Sequence, residues 1–76
     1  MKKPPLLMPS PRGGTRWFAV LGDPVVQVKA PELMNRVFVD AGADAVMVPV
    51  HARPADLAAV IEGLKRIRNF DGMLIT

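Results

Sequence analysis

The sequence of 76 residues contains no cysteine, no tyrosine, one tryptophan and one histidine. Without cysteine, no disulfide can staple a small fold and no thiolate can hold a metal. The lone histidine, His51, has no second histidine or clustered carboxylate beside it, so no metal site is expected. No segment approaches the ~18 apolar residues of a membrane-spanning helix. Met1-Lys2-Lys3 begins like a signal peptide, but only Leu6-Leu7-Met8 follows between prolines, against the ~7–15 apolar residues of a signal core. Glycine-rich phosphate motifs are missing as well. The turn Gly22-Asp23-Pro24 lacks the repeated glycines of a dinucleotide loop, and Pro24 removes a backbone donor that such a loop would use. Together these absences predict a cytoplasmic protein with no membrane contact.

A single-sign charge is scarce where it would matter. The formal net charge is +3, but Lys2, Lys3, Arg12 and Arg16 lie in the first 16 residues with no acid among them. Residues 17–76 hold six basic and seven acidic side chains, and no basic stripe of the kind that tracks phosphates. A nucleic-acid partner is not expected. Residues 1–16 also hold four of the eight prolines and Gly13-Gly14, a composition that predicts a flexible basic leader. About 60 residues remain, a size that buries only around 60% of its unfolded surface and is marginal alone.

The hydrophobic half of the chain is patterned. Trp17-Phe18-Ala19-Val20-Leu21 is a continuous apolar run, as in a strand covered on both faces. Pro31 suits the first turn of a helix and Glu32 its dipole. Leu33, Val37, Phe38 and Ala41 follow at helical spacing, and Gly42 supplies a stop. Ala45 to Val50 reads as a second buried strand, with Pro49 near its end or on an edge. Pro54 and Asp56 open a second helix with the stripe Leu57, Val60, Ile61, Leu64 and Ile67, and Glu62 lies four residues before Arg66. Asn69 to Asp71 reads as a turn before a third strand, Gly72 to Thr76. The order βαβαβ predicts right-handed crossovers and a parallel α/β sheet with the first strand central. The third strand's apolar edge predicts self-association.

Ligands of such sheets bind beyond the carboxyl ends of the strands, which singles out Gly22 to Asn35. There the chain reads Gly22, Pro24, Val25, Pro31 and Asn35 within the pattern G-N-P-(I/V)-x-H-S-x-S-P-x-x-H-N. Pro54, Asp56 and Leu57 match P-x-D-L, and Gly72, Ile75 and Thr76 match G-x-N-V-T-x-P-x-K. On these residues, residues 16–76 resemble the first part of the substrate-binding domain of the shikimate dehydrogenase family. The resemblance implies a three-layer βαβαβ parallel-sheet fragment of that domain spanning residues 17–76. It also implies a small-molecule substrate of the 3-dehydroshikimate or shikimate type, an NADP-dependent oxidoreductase as parent, and a role in aromatic amino acid biosynthesis.

The resemblance also marks departures. The two serines that offer hydroxyls to the substrate carboxylate are Val28 and Ala30 here. The asparagine of the last motif is Leu74, and the two histidines are Gln27 and Met34. Of the substrate contacts in this stretch, Thr76 alone keeps its polar group. Hydrogen bonds to a charged group contribute roughly 1.5–3 kcal/mol each, so losing two removes about 3–6 kcal/mol, enough to turn micromolar binding millimolar. The family's catalytic lysine closes the last motif and would fall beyond Thr76. No catalytic residue and no cofactor-binding residue is therefore expected in this chain, with NADP expected in a full-length parent, and a truncated frame or fragment is expected. The degenerate substrate-binding set is Val28, Ala30, Leu74, Thr76 and Asn35. Asn35 is expected to tie down the turn, Asp23 to form it, and Lys29 and His51 to be solvated loop residues. The alternative is a non-catalytic small-ligand-binding or oligomerisation module derived from the same fold.

Overall fold

A computed structural model describes residues 10–76. Residues 1–9, and with them most of the expected leader, lie outside the described part. The elements run β1 (Arg16–Gly22), α1 (Ala30–Ala41), β2 (Ala45–His51), a 3-10 turn (Pro54–Asp56), α2 (Leu57–Leu64) and β3 (Phe70–Ile75). The three strands form one parallel sheet in the order β2-β1-β3, so the first strand is central as the sequence predicts.

The continuous apolar run of β1 is buried on both faces: Ala19, Val20 and Leu21 are at most 2% exposed. One face carries Trp17, Ala19 and Leu21. Against it pack Leu57, Val60, Ile61 and Leu64 of α2, together with Phe70 and Met73 of β3. Trp17 and Phe70 meet edge-on, with ring centroids 4.8 Å apart. Each side chain fully buried in such a layer stabilises the fold by about 1.5–3 kcal/mol. On the other face Phe18 stacks on Phe38 of α1 at 5.8 Å. The arrangement is three layers: helix, sheet, helix.

The outer strands are less protected than the central one. β2 is an edge strand, so Met47 is buried while Val48 and Pro49 are exposed, which corrects the reading of Ala45–Val50 as a wholly buried strand. Pro49 on that edge leaves no inner ladder bond unmade, as expected. On β3, Leu74 and Ile75 are half exposed.

Helix α1 is rotated from the expected stripe. Leu33 and Val37 face solvent, whereas Pro31, Met34, Asn35 and Phe38 turn inward. Two apolar ridges, Leu33/Val37 and Met34/Phe38, compete at i,i+4 spacing, and periodicity alone does not choose between them. Asn35 decides. Its Nδ2 donates to the Met47 carbonyl at 3.0 Å and its Oδ1 accepts from the Met47 N–H at 2.7 Å. The single amide thereby satisfies two backbone groups on β2 and locks the helix to that strand. Gly42, in the left-handed conformation at φ 69°, ends the helix as expected.

Helix α2 stops at Leu64 rather than continuing to Ile67. The Arg66 and Ile67 N–H groups bond three residues back, to Gly63 and Leu64, in tighter turns. That change of pitch takes Arg66 away from Glu62, which pairs instead with Lys65 at 3.3 Å. β3 begins at Phe70, earlier than expected. Trp17 registers with Phe70 and Phe18 with Gly72, leaving Asp71 as the extra residue of a bulge. A bulge re-aims a side chain, and here it turns Asp71 toward Arg16.

The ordered unit also begins earlier than Trp17. Arg12 to Thr15 form a turn, with Thr15 N–H on the Arg12 carbonyl at 3.1 Å, and Thr15 is 3% exposed. Its hydroxyl accepts from the Arg12 N–H at 2.8 Å and donates to Asp44 Oδ1 at 2.6 Å. Arg16 is the first residue of β1, and its guanidinium grips the Asp71 carboxylate, with Nε to Oδ1 at 3.0 Å and Oδ2 at 3.2 Å. Arg12 Nη2 lies 3.5 Å from Asp44 Oδ2, so two of the four leader cations have acidic partners inside the fold.

Candidate functional site at the carboxyl ends of the strands

Parallel register brings the ends of all three strands together. Gly22 lies opposite His51, and Leu21 opposite Ile75. The Thr76 N–H donates to the Leu21 carbonyl at 2.9 Å, and the Ala52 N–H to the Gly22 carbonyl at 3.1 Å. β1 connects onward to β2 on one side, while β3 lies on its other side. The crevice between β1 and β3 is therefore where the winding reverses, the place such sheets bind ligands.

Glycine at position 22 is dictated by crowding. A Cβ there would sit 2.8 Å from Thr76 Cγ2, 3.3 Å from Val25 Cγ1 and 3.4 Å from the Pro24 carbonyl oxygen. Gly22 thus lets the turn close down on Thr76. Beyond it the Asp23-Pro24 peptide is cis. The Val28 N–H bonds to the Val25 carbonyl at 3.1 Å, and Gln27 Nε2 donates to the Pro24 carbonyl at 3.0 Å. Gln27 therefore spends its side-chain amide on the turn itself.

The residues expected at the site separate into groups. Val28, in the turn, and Ala30, the first residue of α1, are half-buried and bring no polar side-chain atom. Leu74 joins Met34, Phe18, Met47, Gly72 and Met73 around an apolar hollow of about 380 Å3 on the α1 face of the sheet. Met34 and Leu74, two of the departures that the resemblance marks, thus border one apolar space. Thr76 lies on the crevice at Gly22. Asn35 is not at the crevice: both ends of its amide are taken by Met47, and it ties α1 to β2 rather than tying the turn.

Sequence reasoning missed one pairing. His51 Nε2 lies 2.6 Å from Asp23 Oδ1. Neither residue signals a partner locally, since they are far apart in the chain. The signal lies in the register: two parallel strands that end level place the residue after Gly22 beside His51. Among the described residues no group of three or more metal-binding side chains is found.

The opposite end of the sheet also has a hollow, about 340 Å3, bordered by Arg12, Thr15, Phe38 and Asp44. There the Thr15 hydroxyl and the Arg12 guanidinium both engage Asp44. Nearby, Asp71 is held below the usual carboxylate range, first by its hydrogen bonds to Arg16 and then by the charge of that guanidinium, against the opposing effect of desolvation.

Comparison with known proteins gives one consistent answer. No family model matches the chain. It is 36% identical over 52 residues to shikimate dehydrogenase (NADP(+)) of Lysinibacillus sphaericus, a match covering 68% of this chain and 19% of that enzyme. To shikimate dehydrogenase (NADP(+)) of Geobacter metallireducens it is 34% identical over 55 residues, covering 72% of this chain and 19% of the enzyme. The fold is similar to the crystal structure of shikimate dehydrogenase from Aquifex aeolicus, with a TM-score of 0.79 and 28% identity. That similarity spans 86% of this chain and 24% of the other. The chain thus matches about a fifth of the length of these curated relatives.

Proposed function

We propose, for a chain that is shikimate dehydrogenase-like in sequence and fold, that residues 17–76 form one wall of a small-molecule substrate site in an oxidoreductase. The observation that carries this reading is the crevice at Gly22 and Thr76, where the central strand and β3 end in contact. Its position is the one that ligands take in open α/β sheets. The wall differs in chemistry from a carboxylate receptor. Val28, Ala30 and Leu74 present hydrocarbon, so the ligand it suits is less acidic than shikimate.

The curated relatives are NADP(+) enzymes, and NADP belongs to our proposal for a full-length parent. The described residues do not fit that cofactor. The turn after β1 has no glycine-rich loop, Pro24 has no N–H, and Val28 spends its own on Val25. The cofactor would therefore be held by other parts of such a protein. A cytoplasmic setting and aromatic amino acid biosynthesis belong to the same reading. Among the described residues no helix is long and apolar enough to cross a membrane. The folded residues carry no basic stripe, and no nucleic-acid role is proposed.

Titration calorimetry with shikimate tests the altered wall. Millimolar or weaker affinity is expected for the 76-residue chain, and micromolar binding overturns the proposal. The exposure of Leu74 and Ile75 on the free edge of β3 favours a second reading, a non-catalytic small-ligand-binding or oligomerisation module. That reading expects a concentration-dependent dimer in sedimentation, and a monomer across a wide concentration range counts against it.

A further inference from the structure

The Asp23–His51 pair stands at the rim of the crevice, and none of the roles implied by the resemblance accounts for it. Asp23 follows Gly22 directly, and His51 is the residue in register with Gly22. The pair therefore flanks β1 on one side while Thr76 flanks it on the other. An ionised carboxylate is only an acceptor. At 2.6 Å from Asp23 Oδ1, Nε2 must therefore carry a proton, which fixes the tautomer of the neutral ring. Nδ1 is left as a lone pair. The His51 side chain is 58% exposed, so that second nitrogen is within reach of a partner from outside the fold.

The charged side chains next in the chain are Lys29, exposed in the same turn, and Arg53, which pairs with Asp56 at 2.9 Å. Gln27 is spent on Pro24, Asn35 on Met47, and Val28 and Ala30 have no polar side-chain atoms. A ligand with hydroxyl groups seated over the end of β1 would have Thr76 on its β3 side and His51 on its β2 side.

We propose that His51, oriented by Asp23, is a ligand-binding residue whose Nδ1 accepts a hydrogen bond from a hydroxyl of a small, uncharged, polyhydroxylated ligand. The assignment rests on the substrate-wall reading above and deepens it. Asp23 is the positioning residue, acting through the ring. A mere cross-strand ion pair would hold the two loop ends together but would leave Nδ1 indifferent to ligand.

Nitrogen-15 NMR of the His51 ring in the 76-residue chain tests this. The probe is shikimate methyl ester, which keeps three hydroxyls and has no carboxylate. The control is methyl cyclohexene-1-carboxylate, which has no hydroxyls. In the free chain with the ring neutral, the Nε2–H tautomer is expected to dominate. A ring chiefly protonated on Nδ1 overturns the proposal before any ligand is added. Addition of the hydroxylated ester at millimolar concentration is expected to shift Nδ1, while the control leaves it in place. Asp23→Ala is expected to mix the tautomers and weaken the ester's apparent affinity about two- to tenfold. Asp23→Asn, which keeps an acceptor for Nε2–H, is expected to fall between that variant and the parent. Backbone shifts at Gly22 and Thr76 with a silent His51 overturn the histidine's role and leave the substrate wall standing. An ester that shifts nothing overturns the wall, and the histidine's role with it.

Discussion

The two ends of this parallel sheet are built on different terms. At the amino ends, Arg12, Thr15, Arg16, Asp44, Asn69 and Asp71 form a closed set. The Thr15 hydroxyl reaches Asp44, Asn69 Nδ2 donates to the Thr15 carbonyl at 3.0 Å, and Arg16 holds both Asp71 and the Arg68 carbonyl. Each of these six side chains has a polar partner in the same chain. At the carboxyl ends the Asp23–His51 pair leaves a ring nitrogen over. In a parallel sheet the first end can be spent on stability because ligands gather at the second. The difference teaches where to expect substitutions to cost stability and where to expect them to change binding.

That contrast can be attacked by substitution. Leu21→Ala should have the largest effect, because Leu21 is fully buried in the core on which both ends hang. A loss of about 2–5 kcal/mol is expected, comparable with the ~3–9 kcal/mol that a domain of this size holds in total. The expected result is a chain without a cooperative thermal transition. Asp44→Ala comes next. It leaves the hydroxyl of a 3% exposed Thr15 without its acceptor and should cost about 1–3 kcal/mol in urea denaturation. An unchanged midpoint would show that the amino-end network is ornamental.

The Arg16–Asp71 pair gives a smaller, pH-dependent effect. The folded carboxyl of Asp71 is lowered below its unfolded value. Its contribution is therefore fully present above the ordinary carboxylate range and is lost as pH falls through the lower folded value. Melting temperature should decline in acid, and the decline should shrink in Asp71→Asn and in high salt, since the pair faces solvent. Smallest of all should be the stability change in His51→Gln. An exposed pair of this kind is worth below about 1 kcal/mol, so the melting temperature should barely move. A loss matching that of Asp44→Ala would erase the contrast between the ends.

Much of the fold is legible in the residue order. The unbroken apolar run of Trp17–Leu21, the prolines at 31 and 54 and the glycine at 42 mark strands and helix limits within one or two residues. The rotation of α1 is not legible, because Leu33/Val37 and Met34/Phe38 are equally good ridges until Asn35 finds Met47. The anchoring of Arg12 to Arg16 is hidden for a similar reason: their partners Asp44 and Asp71 lie far along the chain. At the candidate site, Gly22, Val28, Ala30 and Thr76 are legible through their place in a motif. The Asp23–His51 pair is not, because only strand register brings it together.

Local chemistry in the sequence determines which segments can be strands, where helices start and stop, that the sheet is parallel, and that the turn after Leu21 carries no hydroxyl side chain. Those properties depend on neighbours within a few residues, and on the rule that a strand, a helix and a strand wind one way. The tertiary structure alone decided which face of α1 is inward and which charges of the first 16 residues are neutralised. It also decided that Leu74 and Met34 border one apolar hollow and that His51 is held by Asp23. Each of these is a contact between residues distant in the chain, set by strand register and helix packing, which no local pattern encodes.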